Sequence, residues 1–97
     1  RPEFAKPAVV WRNVISPSSL TWYDGSAFPA WRGHFLIGGL SSQSIVRVKT
    51  DGDSAREVER IEMGERIRDV AQGRDGAIYF LSDGPNGALK RLTPKRP

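Results

Sequence analysis

The sequence predicts an all-β protein, and three observations carry that expectation. Short apolar or alternating runs of strand length recur along the chain: "AVVWRNVI", "SLTWY", "HFLIGGL", "SIVRVKT", "AREVERIEM", "RIRDVAQ", "AIYFLSD" and "GALKRLT". Turn-rich segments separate them, and the four Asp-Gly dipeptides among these belong to tight turns rather than helices. The pattern also repeats at an offset of 44 residues, with Phe35, Leu36 and Ile37 recurring as Tyr79, Phe80 and Leu81, and Ile45, Arg47 and Val48 as Leu89, Arg91 and Leu92. A strand-only unit with a period in the forties is the pattern of a β-propeller blade, so the chain reads as about two blades.

Taken in order, residues 1–8, "RPEFAKPA", carry two prolines and no periodicity and read as a tail or linker. Residues 9–97 read as the blades, with order starting near Val9. Only "DSAREVERIEMGERIRDV" competes for a helix, since Asp53 or Ser54 could cap it. Its "REVERIEM" portion also alternates as a strand, and the β context around it favours the strand. "DGDS" matches the opening of a calcium loop but lacks the later ligands, and is expected to be a hairpin turn. In "IGGL", Gly38 and Gly39 are expected to mark a bulge or a close approach of neighbouring backbone. Trp11, Trp22 and Trp31 are expected to wedge between blades, with a ligand border as the other possibility.

Two blades alone would leave faces and strand edges uncovered. The chain is therefore expected either to be a fragment of a longer propeller or to assemble with further copies of itself into a ring.

Composition narrows the function classes. With 97 residues the chain forms one domain at most, burying roughly 60 to 70% of its unfolded surface. The net charge of +4 is spread along the chain, with basic residues crowding the C-terminus and acids interleaved elsewhere, which argues for solvated termini over a nucleic-acid footprint. The absence of cysteine excludes disulfides and thiolate metal sites. No apolar run is long enough to span a membrane, and no export signal is visible, so any signal would lie outside this chain.

No catalytic constellation is complete. The single histidine, His34 in "RGHFLIG", has no metal-ligand or triad partner in view and reads as structural. The strongest feature is "GERIRDV", residues 64–70. Strand alternation sends Arg66, Arg68 and Val70 to one face and Glu65, Ile67 and Asp69 to the other. Two readings stay open on residue chemistry: the arginines pair with surface acids, each bridge contributing about 0–1 kcal/mol, or they hold a multiply anionic ligand near a propeller axis.

The run "SPSSLTWYDGSAFPAWRGHFLIGGL", followed by "IVRVKTDGD" and "GERIRDVAQGRDGAIYFLSD", resembles the C-terminal part of soluble pyrroloquinoline quinone (PQQ)-dependent aldose sugar dehydrogenases, the glucose/sorbosone dehydrogenase family. The similarity runs from about Trp11 to Leu92. It implies a six-bladed β-propeller with PQQ and calcium at the top of the central channel, exported to the periplasm or beyond. The implied activity is oxidation of aldoses at C1 to lactones. The two arginines of the family's "R-x-R-D-V" motif contact the cofactor and fall on Arg66 and Arg68.

The resemblance also implies that the catalytic histidine and the calcium ligands lie in other blades, outside this chain, so that the fragment alone is not catalytic. Some relatives place a cofactor-contacting lysine directly after "GGL", where this sequence has Ser41. A related propeller of animal signalling proteins keeps the architecture without redox activity, leaving a non-catalytic binding module, able to self-assemble, as the alternative.

Overall fold

The computed structural model describes residues 17–52, 54–85 and 87–94. The expected tail, the first expected strand and Trp11 lie outside these. Seven strands follow one another: β1 (Pro17–Tyr23), β2 (His34–Gly39), β3 (Ser44–Asp51), β4 (Ser54–Glu62), β5 (Ile67–Gln72), β6 (Ile78–Ser82) and β7 (Leu89–Leu92), with one 3-10 turn at Pro29–Trp31. They form two antiparallel meanders, a four-stranded sheet β1-β2-β3-β4 and a three-stranded sheet β5-β6-β7, side by side as neighbouring propeller blades. No helix among the described residues is long and apolar enough to cross a membrane.

The segment that could have been helical is strand β4. The edge of β3 offers it a ladder from Ser44↔Glu62 to Asp51↔Ser54, and Gly52 at φ 61° turns the chain back into that pairing. One bulge interrupts the ladder, because Arg47 faces Glu59 while Val48 faces Glu57, leaving Val58 as the extra residue. The bulge interrupts the expected alternation of "REVERIEM" at Val58.

The sheets meet through β1 and β5. Tyr23, Leu36 and Ile45 of the first sheet form a buried cluster with Ile67, Val70, Ile78 and Phe80 of the second. Gly38 lies at the tightest point of this contact. A Cβ there would sit 2.9 Å from Ile67 Cγ2, 3.0 Å from Ser18 Oγ and 3.1 Å from Val70 Cγ2, so the expected close approach is real and only glycine accommodates it without displacement.

Hydroxyl groups complete the seam. β5 lies at the edge of its sheet, and its outward backbone groups turn to side chains, the Val70 N–H also meeting Asp69 Oδ1 at 2.9 Å. Ser18 Oγ donates to the Ile67 carbonyl at 2.7 Å, Thr21 Oγ1 donates to the Val70 carbonyl, and Ser19 Oγ accepts from the Val70 N–H at 3.1 Å. At the far end of the seam the fully buried Tyr23 hydroxyl donates to the Gly76 carbonyl at 2.6 Å and accepts from the Phe28 N–H at 3.0 Å.

Matching facing pairs corrects the repeat by one residue. Leu36↔Arg47 corresponds to Tyr79↔Arg91, and Leu20↔Ile37 to Val70↔Phe80. Arg47 and Arg91 keep the expected offset. Phe35, Leu36 and Ile37, however, correspond to Ile78, Tyr79 and Phe80, because the β6–β7 turn carries an extra residue. In a strand that single step exchanges the faces.

The tryptophans divide. Trp31 stacks on Phe28 with centroids 4.1 Å apart and packs against the buried cluster, under the Arg47 guanidinium at 5.5 Å. Trp22 does not wedge between the two described sheets. Alternation turns Thr21 and Tyr23 inward and Trp22 to the outer face, where it is 48% exposed and meets Phe35 edge-on. Leu20 shares that face, while Leu81 and Leu89 are exposed on the second sheet. These are the uncovered faces expected of a two-blade piece.

His34 opens β2, at the end of the sheet where β1 closes. Its Nδ1 lies 2.8 Å from Arg47 Nη1, and Arg47 also donates through Nε and Nη2 to Glu59 Oε1. Because arginine only donates, His34 Nδ1 accepts and the ring is neutral. Partial burial, then the charges of Arg47 and Lys49, hold its pKa below the ordinary value.

Two predictions follow from this packing. Tyr23→Phe strips the partner from two backbone groups and should cost about 1–3 kcal/mol, read as a lower urea midpoint at constant slope; an unchanged midpoint would contradict the seam described. The His34 ring signal, unique in the chain, should titrate by NMR below the ordinary value of 6.5 and move upward in Arg47→Met. An unfolded histidine binds protons first, so the contribution of His34 to stability is present above its unfolded pKa and lost as pH falls toward the folded one.

Candidate functional site

Arg66 directly precedes β5 and Arg68 lies within it. Alternation alone would place both with Val70 and leave Ile67 opposite, but the structure departs from this. Ile67 and Val70 are both buried against the first sheet, at 0% and 3% exposure. The cause is a bulge: Ile67 pairs with Ser82 and Asp69 with Leu81, so Arg68 is an extra residue without a facing partner. A bulge shifts the alternation by one and re-aims a side chain, which is why such features gather at sites. Here it sends Ile67 and Val70 inward and Arg68 outward beside Arg66.

The same bulge occurs in the first sheet. Pro17 pairs with Gly39 and Ser19 with Gly38, leaving Ser18 as the extra residue. By facing pairs, Ser18 and Arg68 occupy corresponding positions on the first strand of each blade. In one the side chain bridges the Gly38 and Ile67 carbonyls; in the other it carries a guanidinium to the surface.

What the arginines meet is Asp83, the residue following β6. Its backbone N–H donates to the Arg66 carbonyl at 2.8 Å, securing the turn. Each carboxylate oxygen then accepts from one arginine, Oδ2 from Arg66 Nε at 3.2 Å and Oδ1 from Arg68 Nε at 3.1 Å. Only the Nε atoms are engaged. Both Nη groups of each arginine are without protein partners among the described residues, and the side chains are 49% and 66% exposed against 24% for Asp83. The Arg66 hydrogen bond, with the charge and hydrogen bond of Arg68, holds the Asp83 carboxyl below the usual carboxylate range. It therefore stays ionised, and the trio has one net positive charge.

Other features of this end are polar. Lys90 Nζ donates to Glu65 Oε2 at 2.7 Å. Ser41 is exposed in the 40–43 turn, which the Met63 N–H ties to the chain leading into β5 through the Gln43 carbonyl at 2.9 Å. His34 is at the opposite end of β2 and is not brought to the arginines. Among the described residues no group of three or more His, Asp or Glu side chains gathers to hold a metal ion.

Asp83 is the member that sequence reasoning missed. In "SDGPNG" it reads as an ordinary turn aspartate. The available signal was topological, since β6 must end where β5 begins if the two are antiparallel neighbours, which brings the residue after β6 to the "RIR" segment.

The architecture is shared with known proteins. The profile of the family described as Glucose / Sorbosone dehydrogenase matches residues 1–91. An uncharacterised protein of Synechocystis, slr1608, is 40% identical over 93 residues, covering 95% of this chain and 23% of the relative. The aldose sugar dehydrogenase YliI of Escherichia coli is 33% identical over 92 residues, 93% of this chain and 25% of that protein.

Among solved structures, the soluble aldose sugar dehydrogenase of Escherichia coli in its apo-form superimposes with a TM-score of 0.83 at 33% identity, covering 92% of this chain and 26% of that one. A crystal structure of glucose dehydrogenase gives 0.84 at 38% identity, over 93% and 27%. The chain thus spans about a quarter of the length of these relatives. It is a fragment of a β-propeller protein, and it belongs to the glucose/sorbosone dehydrogenase family.

Proposed function

We propose that this chain is the C-terminal portion of a PQQ-dependent sugar dehydrogenase of the exported, periplasmic type, and that Arg66 and Arg68 are its contribution to the cofactor site. The observation that carries the reading is the arrangement of the two guanidinium groups. They stand side by side on a bulged strand, held at Nε, with their Nη edges free of protein partners among the described residues.

The donor set fits the group. PQQ carries three carboxylates, and arginine binds carboxylate through paired N–H donors while keeping its charge when water is removed. An uncompensated carboxylate taken into a protein cleft is strongly unfavourable, and fixed guanidinium groups offset that cost. When bound, PQQ would supply a quinone as the two-electron acceptor for oxidation of an aldose at C1 to a lactone.

The residues of this chain bind and orient. Arg66 and Arg68 would hold carboxylates of the cofactor, and the buried Ile67 and Val70 between and beside them fix the strand that carries the pair. The proton acceptor and the calcium ligands belong to other blades in this reading, and His34, neutral and bonded to Arg47 at the far end of the sheet, takes no part. With serine at position 41 in place of lysine, the arginines carry a larger share of the anion's charge.

The full-length parent, loaded with PQQ and calcium, should reduce a dye acceptor when given aldoses, and the isolated chain should not. Arg66→Ala combined with Arg68→Ala should weaken PQQ binding well beyond tenfold, more than about 1.4 kcal/mol. A titration indistinguishable from that of the unsubstituted parent would sink the cofactor assignment.

A further inference from the structure

We infer that Asp83 is the positioning residue of the arginine site: by accepting one Nε–H from each arginine it aims both guanidinium groups outward as a preformed clamp for a polycarboxylate. The inference rests on the anion-binding role proposed for Arg66 and Arg68 and adds how those side chains are held.

The geometry distinguishes this from an ordinary surface ion pair. The ion pairs Arg47–Glu59, Arg60–Glu57 and Arg91–Asp75 each engage the side edge of the guanidinium, Nε together with Nη2. Asp83 instead takes a single Nε from each of two arginines, one per oxygen, at 3.2 and 3.1 Å. That contact leaves the forked Nη ends uncommitted. Asp83 is itself anchored by its N–H to the Arg66 carbonyl, and the residue before it, Ser82, is the ladder partner of Ile67 beside the bulge. Backbone and side chain thus fix the same corner. Without the carboxylate, two like charges two residues apart would repel, and two long side chains would sample many rotamers that binding must then freeze.

The inference makes a prediction opposite in sign to simple electrostatics. Asp83 is an acid beside a site for an anion. Removing it raises the local charge and, if charge were all that mattered, would tighten anion binding. If orientation dominates, removing it weakens binding.

The test is a fluorescence titration of the full-length parent with PQQ in the presence of calcium, at a temperature where every variant is folded. Asp83→Ala should bind PQQ about tenfold more weakly, and Asp83→Asn, which retains one acceptor oxygen and the side-chain shape, should fall between it and the parent. Tighter or unchanged binding in Asp83→Ala would overturn the inference. Should that variant fail to fold, Asp83→Asn decides by the same criterion, weaker binding supporting the inference and equal or tighter binding overturning it. The Arg66→Ala, Arg68→Ala double variant separates the two levels: if it binds PQQ normally, the cofactor reading itself fails, whereas if it binds weakly while Asp83→Ala does not, only the positioning role fails.

Discussion

The structure depends on how the exposed edge of β5 is satisfied. An edge strand presents unpaired backbone donors and acceptors, and a propeller blade cannot cover its first strand with another strand of the same sheet. Here β1 answers with side chains. Ser18, Ser19 and Thr21 bond to the Ile67 and Val70 backbone, and Tyr23 closes the far end at Gly76. These contacts set β5 against β1 at one height, so that Ile67 and Val70 enter the space left by Gly38. Polar satisfaction and apolar packing therefore specify the same register, and a slip of β5 by one residue would lose both.

The position of the arginines follows from that register. With Ile67 and Val70 both fixed inward, three steps apart in sequence, a strand with strict alternation would be inconsistent, and the bulge at Arg68 resolves the conflict. Corresponding bulges at Ser18 and Arg68 show one backbone device serving two ends. In the first blade it delivers a hydroxyl to the inter-blade seam. In the second it delivers a charged side chain to the surface, beside a second arginine and across from the aspartate that follows β6. Placing the pair on a packed strand also limits how far it can drift, which a ligand site requires.

Much of the fold was legible in the sequence because its signals are local. Strand-length alternation, Asp-Gly turns and the repeat were sufficient for an all-β chain of two blades, and the family's residue pattern pointed to Arg66 and Arg68. The failures share one physical origin. The repeat was aligned one residue off, and Val70 was grouped with the arginines although it is buried away from them. Each is an error of facing, which a single extra residue reverses. Bulges and turn lengths leave little trace in composition, and their effect appears only when a partner strand is present to count against. Asp83 was missed for a related reason, since nothing within "SDGPNG" separates a turn aspartate from one that two arginines share.

The central claim is that a seam-fixed bulge presents two guanidinium groups, held at Nε by Asp83, to the carboxylates of a bound quinone. A crystal structure of the full-length parent with PQQ tests it most directly. The account predicts Nη atoms of Arg66 and Arg68 within hydrogen-bonding distance of PQQ carboxylate oxygens, with both Nε contacts to Asp83 retained. Cofactor density away from these side chains, or arginines turned to solvent while PQQ is bound, would contradict it.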